Sequence, residues 1–239
     1  MILPGTNPTT TMIPSKLIVG LDDAPPIPMQ IGAPEKGNFR GYEVDLLEGV
    51  AQRLGVQLHY RRAYWSVIVD ELVAGDIDVI CSAATVTEER CRQADFCEPH
   101  LNLTLAVVTR DDTADIGTNF TGLRVGLRGG TTAEEFARSH GVSDPALLCE
   151  SNDEMYDALA AGSLDAIIDD SPIAAYFSRN IPGLRYAGAL SDTDGAYAIM
   201  ARKGNTVLVN AINEILAAME RDGTLATLRT RWFKSETSA

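Results

Sequence analysis

The sequence predicts an α/β protein built from two similar lobes. Apolar runs typical of strands alternate with segments of helical periodicity, which is the pattern of α/β architecture with largely parallel sheets. The segment at 72–80 is matched in the second half by residues 159–167, so a helix, a glycine stop and a strand occur twice. At 239 residues the chain fits one large domain or two small ones, and the repeat favours two lobes.

In the first half, apolar patterning predicts strands at 16–21, 56–60 and 77–81, and helices at 41–54 and 65–74. Several prolines follow the first strand at 22–28, and helices do not tolerate them, so this segment is a loop. In the first helix the apolar residues recur at three- and four-residue spacing, and Gly55 is placed to end it.

The second half repeats the theme, with predicted strands at 123–127, 146–150 and 164–169, and predicted helices at 132–139 and 153–161. The last segment, 205–233, has a helical pattern that is interrupted by Gly223. It therefore predicts two helices, whose apolar faces need a surface to pack on.

The chain carries 33 acidic and 20 basic side chains, for a net charge of −13. This balance argues against nucleic acid or an anionic membrane as partner, because both would repel the chain. No apolar run approaches the roughly 18 residues that a membrane span needs. Residues 1–15 lack the cationic start and apolar stretch of a secretory signal, so we expect a cytoplasmic chain or one without its signal.

The cysteines are too few for a disulfide scaffold and form no CxxC pair; they are Cys81, Cys91, Cys97 and Cys149. Cys91 and Cys97 are near enough in sequence to form a bridge if a turn brings them together, and the alternative is two buried thiols. The histidines, His59, His100 and His140, share no metal-ligand spacing. We expect no metal site and no cofactor.

Ligands in open α/β sheets collect at the carboxyl ends of strands, so the residues there are the candidates for a site. Arg90 follows a hydroxyl-rich segment and a helix start at Thr87, and its planar guanidinium can bind a carboxylate through two hydrogen bonds. The alternative is that Arg90 pairs with a nearby glutamate on a solvated face.

Three further candidates each have a structural alternative. Gly130, in the segment 129–132, could expose main-chain N–H groups to an anion or simply precede a helix. Asp170 ends an apolar strand, where it suits a cationic ligand group or caps the next helix. Trp65 is either a core residue or a face on which a ligand stacks. No nucleophile signature is present, so nothing local demands catalysis.

Several motifs then recur in a family order: Gly41-Tyr42-Glu43-Val44-Asp45-Leu46, the segment 72–90 with Asp95-Phe96, Gly130-Thr131-Thr132, Asp165-Ala166 with Asp170-Ser171-Pro172, and Asp222-Gly223-Thr224-Leu225 through Trp232-Phe233. Together they resemble the type II periplasmic solute-binding proteins, and specifically the family that captures polar amino acids for ABC importers. The resemblance implies two Rossmann-like lobes joined by two hinge segments, a Venus flytrap with its ligand between the lobes.

The resemblance also implies roles for individual residues. Arg90 would hold the α-carboxylate of the ligand with help from Thr85, Thr132 and the backbone of Ala83. Asp170 and Ser82 would hold its α-ammonium. The whole implied set is Asp23, Trp65, Ser82, Ala83, Thr85, Arg90, Arg128, Gly130, Thr131, Thr132 and Asp170.

Three positions depart from the family pattern. Arg128 stands just before Gly129-Gly130, where a cation could meet a polar or acidic side chain of the ligand. Ala24 stands where an aromatic residue is usual, so one wall of the pocket is missing and the ligand is expected to be bulkier or a non-standard amino acid. His100 replaces the aromatic residue usual after Glu98-Pro99, and it either alters the hinge or is a surface residue. We expect lobe 1 to comprise 1–109 with 202–239, and lobe 2 to comprise 110–201.

The function implied by the resemblance is that of a non-catalytic, monomeric receptor. It would bind an amino acid or a similar zwitterion outside the cytoplasm, its signal peptide having been removed, and would deliver the ligand to the permease of an ABC transporter. Two alternatives stay open: the sensing domain of a larger receptor, and an enzyme resembling cyclohexadienyl dehydratase. The enzyme would need an added acid in the cleft, and residues 171–174 offer none.

Overall fold

The structure is a computed structural model that describes residues 13–114, 116–142 and 147–233. The strands are β1 (Lys16–Asp22), β2 (Gln57–Ala63), β3 (Val79–Ile80), β4 (Ala94–Phe96), β5 (Leu101–Leu103), β6 (Leu105–Arg110), β7 (Val125–Arg128), β8 (Leu147–Cys149), β9 (Ala166–Asp170), β10 (Leu184–Ala189), β11 (Gly195–Tyr197) and β12 (Met200–Arg202). The helices are α1 (Tyr42–Leu54), α2 (Trp65–Ala74), α3 (Glu88–Gln93), α4 (Thr132–Ser139), α5 (Asn152–Ala160), α6 (Ser171–Asn180), α7 (Thr206–Arg221) and α8 (Thr224–Phe233). The absence of a signal sequence was predicted from residues 1–15, and most of that segment lies outside the described residues.

The predicted α/β fold with two lobes is confirmed, since each lobe is built on its own five-stranded sheet. The order is β2-β1-β3-β12-β4 in lobe 1 and β10-β6-β9-β7-β8 in lobe 2. The expectation of largely parallel sheets is wrong in part. In lobe 1, β12 runs antiparallel to β3 and β4; in lobe 2, β6 runs antiparallel to β9 and β10. Strands β6 and β12 are the first that the chain forms after it crosses from one lobe to the other. The chain therefore runs through each sheet at that point in the direction opposite to the neighbouring strands.

The duplicated unit folds in the same way in both lobes. Helix α2 ends at Gly75 and is followed by β3, while α5 is followed by a turn through Gly162 and by β9. Both glycines have a left-handed backbone, with φ of 84° and 76°, which only glycine adopts without strain. Leu72 and Leu159, at equivalent positions, are both fully buried. Each unit therefore anchors a strand of the sheet in the core of its lobe.

The C-terminal segment completes the core of lobe 1, as its pattern predicted. Helices α7 and α8 pack on α1, and Leu208, Ile212 and Leu216 are buried with the apolar residues of β1. Burying a leucine or isoleucine side chain stabilises a fold by about 1.5–3 kcal/mol. The helices that come last in the sequence thus hold the first strand in place.

The chain crosses between the lobes near a small two-stranded sheet, in which β5 pairs antiparallel with β11. Because β6 belongs to the sheet of lobe 2 and β12 to that of lobe 1, the crossings precede these strands. The boundaries predicted at 109/110 and 201/202 therefore fall at the ends of strands that have already joined the next lobe. An apolar strand has the same sequence pattern whichever sheet it joins, so the pattern could not locate the crossings between the lobes.

All four cysteines are free thiols. The hypothesis of a bridge between Cys91 and Cys97 is wrong, because Cys91 lies on α3 and Cys97 follows β4, so no tight turn brings them together. Cys97 is buried, as the alternative expected, whereas Cys91 is only half-buried. Within the described ranges, none of the helices combines the length and the apolar character that a membrane crossing needs.

Candidate functional site

The carboxyl ends of four strands meet between the lobes. Strands β1 and β3 bring Asp22 and Ser82 from lobe 1, while β7 and β9 bring Arg128 and Asp170 from lobe 2. Open α/β sheets bind their ligands in the crevice outside the carboxyl ends of the strands. The site is therefore a cleft with both lobes as its walls.

The lobe 1 wall begins with the loop after β3. Ser82 Oγ accepts a hydrogen bond from the main-chain N–H of Asp22 at 3.0 Å. Ala83 has a φ of 51°, a left-handed conformation that costs a non-glycine residue about 1–3 kcal/mol. Its main-chain N–H donates to the buried carboxylate of Glu43, at 2.9 and 3.1 Å from the two oxygens. A buried side chain thus holds the loop in a strained conformation.

Arg90 projects into the cleft from α3, which is capped by Thr87 as predicted, the Thr87 hydroxyl accepting from the N–H of Arg90 at 3.2 Å. The guanidinium donates to two main-chain oxygens, those of Thr85 at 2.9 Å and Gly130 at 3.2 Å, and lies 4.9 Å over the ring of Trp65. Burial lowers the pKa of Arg90, while the charge of Asp170 opposes this. Among the described residues, no carboxylate lies within ion-pair distance of Arg90.

Gly130 is where the lobe 2 wall touches lobe 1. Its oxygen also accepts a hydrogen bond from Trp65 Nε1 at 3.0 Å. A Cβ atom at this position would lie 3.3 Å from the Trp65 ring, a tight contact, and φ is 70°, a conformation that favours glycine. The N–H of Gly130 donates to Glu134 at 2.7 Å, which favours the helix-start interpretation of this segment over an anion cradle.

Asp170 ends β9 and occupies the N-cap position of α6, yet its side chain makes no cap hydrogen bond. Instead its carboxylate accepts from the Tyr197 hydroxyl at 2.6 Å and, at the outer limit of distance, from the Thr132 hydroxyl at 3.5 Å. Burial raises the pKa of Asp170, with these hydrogen bonds and the Arg90 charge opposing the shift. The carboxylate thus points into the cleft.

A second pair of opposite charges spans the cleft more deeply. Asp22, which is 1% exposed, forms an ion pair with Arg128 of the opposite lobe. Arg128 Nε also donates to the main-chain oxygen of Glu150 at 3.1 Å. Burial raises the pKa of Asp22 although Arg128 opposes it. Asp22 was missed in favour of Asp23, which is exposed; both line a neighbouring cavity with Gly129, and only Asp22 pairs with Arg128, a residue of the pocket wall. The signal was available, since Asp22 ends an apolar strand just as Asp170 does.

Beneath Asp170, the neighbouring Asp169 is buried in lobe 2. Its carboxylate accepts from Asn152 Nδ2 at 2.7 Å and from the Tyr156 hydroxyl at 3.2 Å. Burial, followed by the charge of Asp170, raises the pKa of Asp169 to about 7. Asn152 and Asp169 both line the cleft, and neither was predicted, because an asparagine in a helix start has no distinctive local pattern.

The structure brings most of the predicted residues into one pocket, lined by Trp65, Ser82, Ala83, Thr85, Arg90, Arg128, Thr131, Thr132 and Asp170, with Pro26, Ala133, Asn152, Asp169 and Ile173 in addition. Gly130 lies just outside, against Trp65. The space left free is about 30 Å³, enough for about two waters. The lobes are thus closed on each other, and a larger cavity of about 460 Å³ lies at the mouth of the cleft.

His100 is not a surface residue, since it is 1% exposed beneath the cleft. Its main-chain oxygen accepts from the Tyr42 hydroxyl at 2.7 Å and from Arg229 at 3.0 and 3.2 Å. His100 is therefore a core residue of this chain.

Residues 17–235 match the family described as bacterial extracellular solute-binding proteins, family 3. The chain is 30% identical over 226 residues to the L-cystine-binding protein TcyJ of Escherichia coli (strain K12), covering 92% of this chain and 83% of that protein. Its fold is similar to an ancestral arginine-binding protein bound to glutamine, with a TM-score of 0.85, 28% identity, and coverage of 94% of this chain and 100% of that one. It is also similar to the ancestral amino acid-binding protein AncCDT-1, a precursor of cyclohexadienyl dehydratase, with a TM-score of 0.82, 29% identity, and coverage of 92% and 96%. The motifs, the two-lobed fold and these similarities lead to one conclusion: the chain belongs to family 3 of the bacterial extracellular solute-binding proteins.

Proposed function

We propose that the chain is an extracytoplasmic receptor that binds an amino acid between its lobes and delivers it to the permease of an ABC importer. The observation that carries the proposal is the state of Arg90 and Asp170. The hydrogen bonds of both groups go to neutral partners, main-chain oxygens for Arg90 and hydroxyls for Asp170. A cation and an anion without ionic partners, one on each lobe, are complementary to the carboxylate and ammonium of one zwitterion.

The deeper ion pair supports a ligand whose side chain is polar but uncharged. Arg128 lines the pocket and is paired with Asp22, so a charged ligand side chain would have to break that pairing to gain from either charge. A neutral group with a donor and an acceptor hydrogen-bonds to both charges without separating them. Asn152 Oδ1, buried in the same wall, has no hydrogen-bond partner among the residues that the structure describes, and it would accept from such a donor. The glutamine bound to the ancestral arginine-binding protein has such a side chain, since its amide offers both a donor and an acceptor.

Closure of the lobes fits a bind-and-release cycle. Trp65 and Arg90 of lobe 1 donate to Gly130 of lobe 2, so they cover the inner pocket from the outer cavity. An amino acid exceeds the free space of about 30 Å³, hence the lobes must separate at the β5–β11 segment before it enters. A ligand that bridges Arg90 and Asp170 then draws the two lobes together around itself.

The direct test is a thermal-shift screen with the proteinogenic amino acids, L-cystine and opines, followed by calorimetric titration of each hit. A ligand present at 100 times its dissociation constant stabilises the folded chain by about 2.7 kcal/mol, or about 5–10 °C in a chain of this size. We expect shifts with neutral polar amino acids and not with their decarboxylated amine analogues. A melting temperature unchanged by every α-amino acid would show that the proposed ligand class is wrong.

A further inference from the structure

A cluster of three metal-binding side chains lies under the cleft, outside the pocket described above. Glu43 comes from α1, Cys81 follows β3, and His100 precedes β5. Their ligating atoms all lie within 4.8 Å of one another, and none of the three residues is more than 1% exposed. We propose that Glu43, Cys81 and His100 form a structural site for a divalent transition metal, of which Zn²⁺ is the best match.

The imidazole of His100 is the observation that points to an ion. Both of its ring nitrogens are buried, and neither has a hydrogen-bond partner among the described residues. The Glu43 carboxylate is the closest acidic group, and its Oε1 is 3.6 Å from Nε2, which is too long for a hydrogen bond. A neutral imidazole has one N–H donor and one lone pair, and leaving these unmade in a protein core is costly. A metal on one nitrogen would use the lone pair.

The charges of the cluster also favour a divalent ion. Ionised Glu43 and a Cys81 thiolate together with a 2+ ion sum to zero. The guanidinium near the cluster, Arg229, donates to the main-chain oxygen of His100. Metal binding requires the thiol and the carboxyl to be ionised, so uptake of the ion would release their protons.

The donor set selects the metal. Thiolate, imidazole and carboxylate together are typical of zinc, and structural zinc sites are closed and tetrahedral. In a tetrahedral site, zinc bonds of about 2.0–2.3 Å place neighbouring ligand atoms about 3.3–3.8 Å apart. The ligand atoms here lie within 4.8 Å of one another, so the two that are farthest apart would have to approach by about 1 Å. We assign the fourth ligand to Gln30, whose Nε2 donates to the main-chain oxygen of Cys81 at 2.6 Å and whose buried Oε1 has no partner among the described residues.

The site would act on the ligand loop without touching the ligand. Glu43 already accepts the N–H of Ala83, the strained residue of that loop, so an ion on Glu43 would fix the loop from below. Local spacing could not reveal this cluster, since its members lie on three separate elements that only the fold brings together. The expectation of no metal site rested on local spacing, that of the cysteines and that of the histidines.

Because the cluster is enclosed, the ion must enter while the chain folds, and the experiment follows from this. The full chain is unfolded in guanidinium, refolded with Co²⁺ or Zn²⁺, freed of loose metal by gel filtration, and analysed by elemental mass spectrometry and by absorption. We expect equimolar metal, and with Co²⁺ a thiolate-to-metal charge-transfer band and visible transitions of tetrahedral cobalt. Wild-type chain that refolds without bound metal overturns the proposal.

Two variants and one control locate the ion. Cys81→Ser and His100→Phe should each weaken metal binding at least about 100-fold, more than losing a hydrogen-bonding partner of a ligand costs. Cys97→Ser, which alters another buried thiol of the same lobe, should bind metal as the wild type does. His100→Phe restores the aromatic residue usual in the family, so it decides the question if Cys81→Ser fails to fold. A charge-transfer band that survives His100→Phe contradicts the assignment, whatever amino acid the cleft binds.

Discussion

Two pairs of opposite charges face each other across the cleft, and they are satisfied in different ways. Asp22 and Arg128 bind each other directly, whereas Arg90 and Asp170 bind only neutral oxygens and hydroxyls. In the first pair, the attraction between the two charges already offsets part of the free-energy cost of removing them from water. The second pair has been desolvated without an ionic partner, and it is this pair that gains most from a zwitterion.

The contrast separates two tasks of one cleft. The Asp22–Arg128 pair joins the lobes and shapes the end of the pocket, so changing it should affect closure as well as specificity. Arg90 and Asp170 provide attraction that is realised only when a ligand is present. The following predictions test this division, beginning with the largest expected effect.

Arg90→Ala should remove most of the affinity for an amino acid. Charge-assisted hydrogen bonds contribute about 1.5–3 kcal/mol each, so losing two weakens binding at least about 100-fold, measured by calorimetric titration. The matched control is Arg92→Ala on the same helix, where the side chain is exposed and pairs with Glu88. Equal affinity of wild type and the Arg90 variant would assign the carboxylate to another group.

Arg128→Gln should disturb the protein even without ligand. It leaves Asp22 buried without its cation, and removal of one partner of a buried ion pair typically costs about 3–5 kcal/mol. We expect a lower melting temperature and a larger radius of gyration by small-angle scattering, since the lobes lose a contact. The double variant with Asp22→Asn should recover part of both effects, and a double variant worse than the single one would show that the pair does not couple the lobes.

Asp170→Asn should weaken amino-acid binding by about 10- to 30-fold, because the amide keeps the shape and the Tyr197 contact but lacks the charge that attracts an ammonium, which contributes about 1.5–2 kcal/mol. The same calorimetric titration measures it. Asp112→Asn, at a highly exposed carboxylate of lobe 2, serves as the control. The second measurement is the ratio of the affinity for desamino analogues to that for amino acids. If this ratio is no higher in the Asp170→Asn variant than in the wild type, the ammonium is held elsewhere.

The stability of the ligand-free chain should fall as the pH rises. The pKa of Asp169 is raised from 3.8 to about 7, so its protonated form is favoured in the folded chain; that stabilisation is complete below about pH 4 and is lost as the pH rises through about 7. The slope corresponds to about 2 kcal/mol between about pH 5 and 7. Urea unfolding at several pH values measures it, and Asp169→Asn should flatten the dependence. An unchanged slope in that variant would assign the effect to other groups such as Glu43.

The smallest effect is expected at the point where the lobes touch. Gly130→Ala places a Cβ atom 3.3 Å from Trp65 in a left-handed backbone, which costs about 1 kcal/mol and should weaken ligand binding about fivefold. Gly129→Ala, with open space around its Cβ position, is the neighbouring control. Identical affinities for the two variants would show that the Trp65 contact contributes nothing to closure.

Local structure followed from the sequence with good accuracy. Helices α2 and α4 begin and end at the residues that periodicity indicated, and the glycines that end the helices have the left-handed backbone expected of them. Family membership also followed, since its motifs are short and continuous in sequence. These features depend on neighbours in the chain, and neighbours in the chain are what a sequence displays.

Other features were decided by the tertiary structure alone. The choice of Asp22 over Asp23 depends on which side of β1 faces Arg128, a residue more than a hundred positions away. The direction of β6 and β12 depends on where the chain crosses between lobes. The cluster of Glu43, Cys81 and His100 exists only because α1, β3 and the hinge pack together. Thus the sequence by itself determined the elements, the repeat and the family, whereas contacts between distant segments decided which charges pair and which stay available to a ligand.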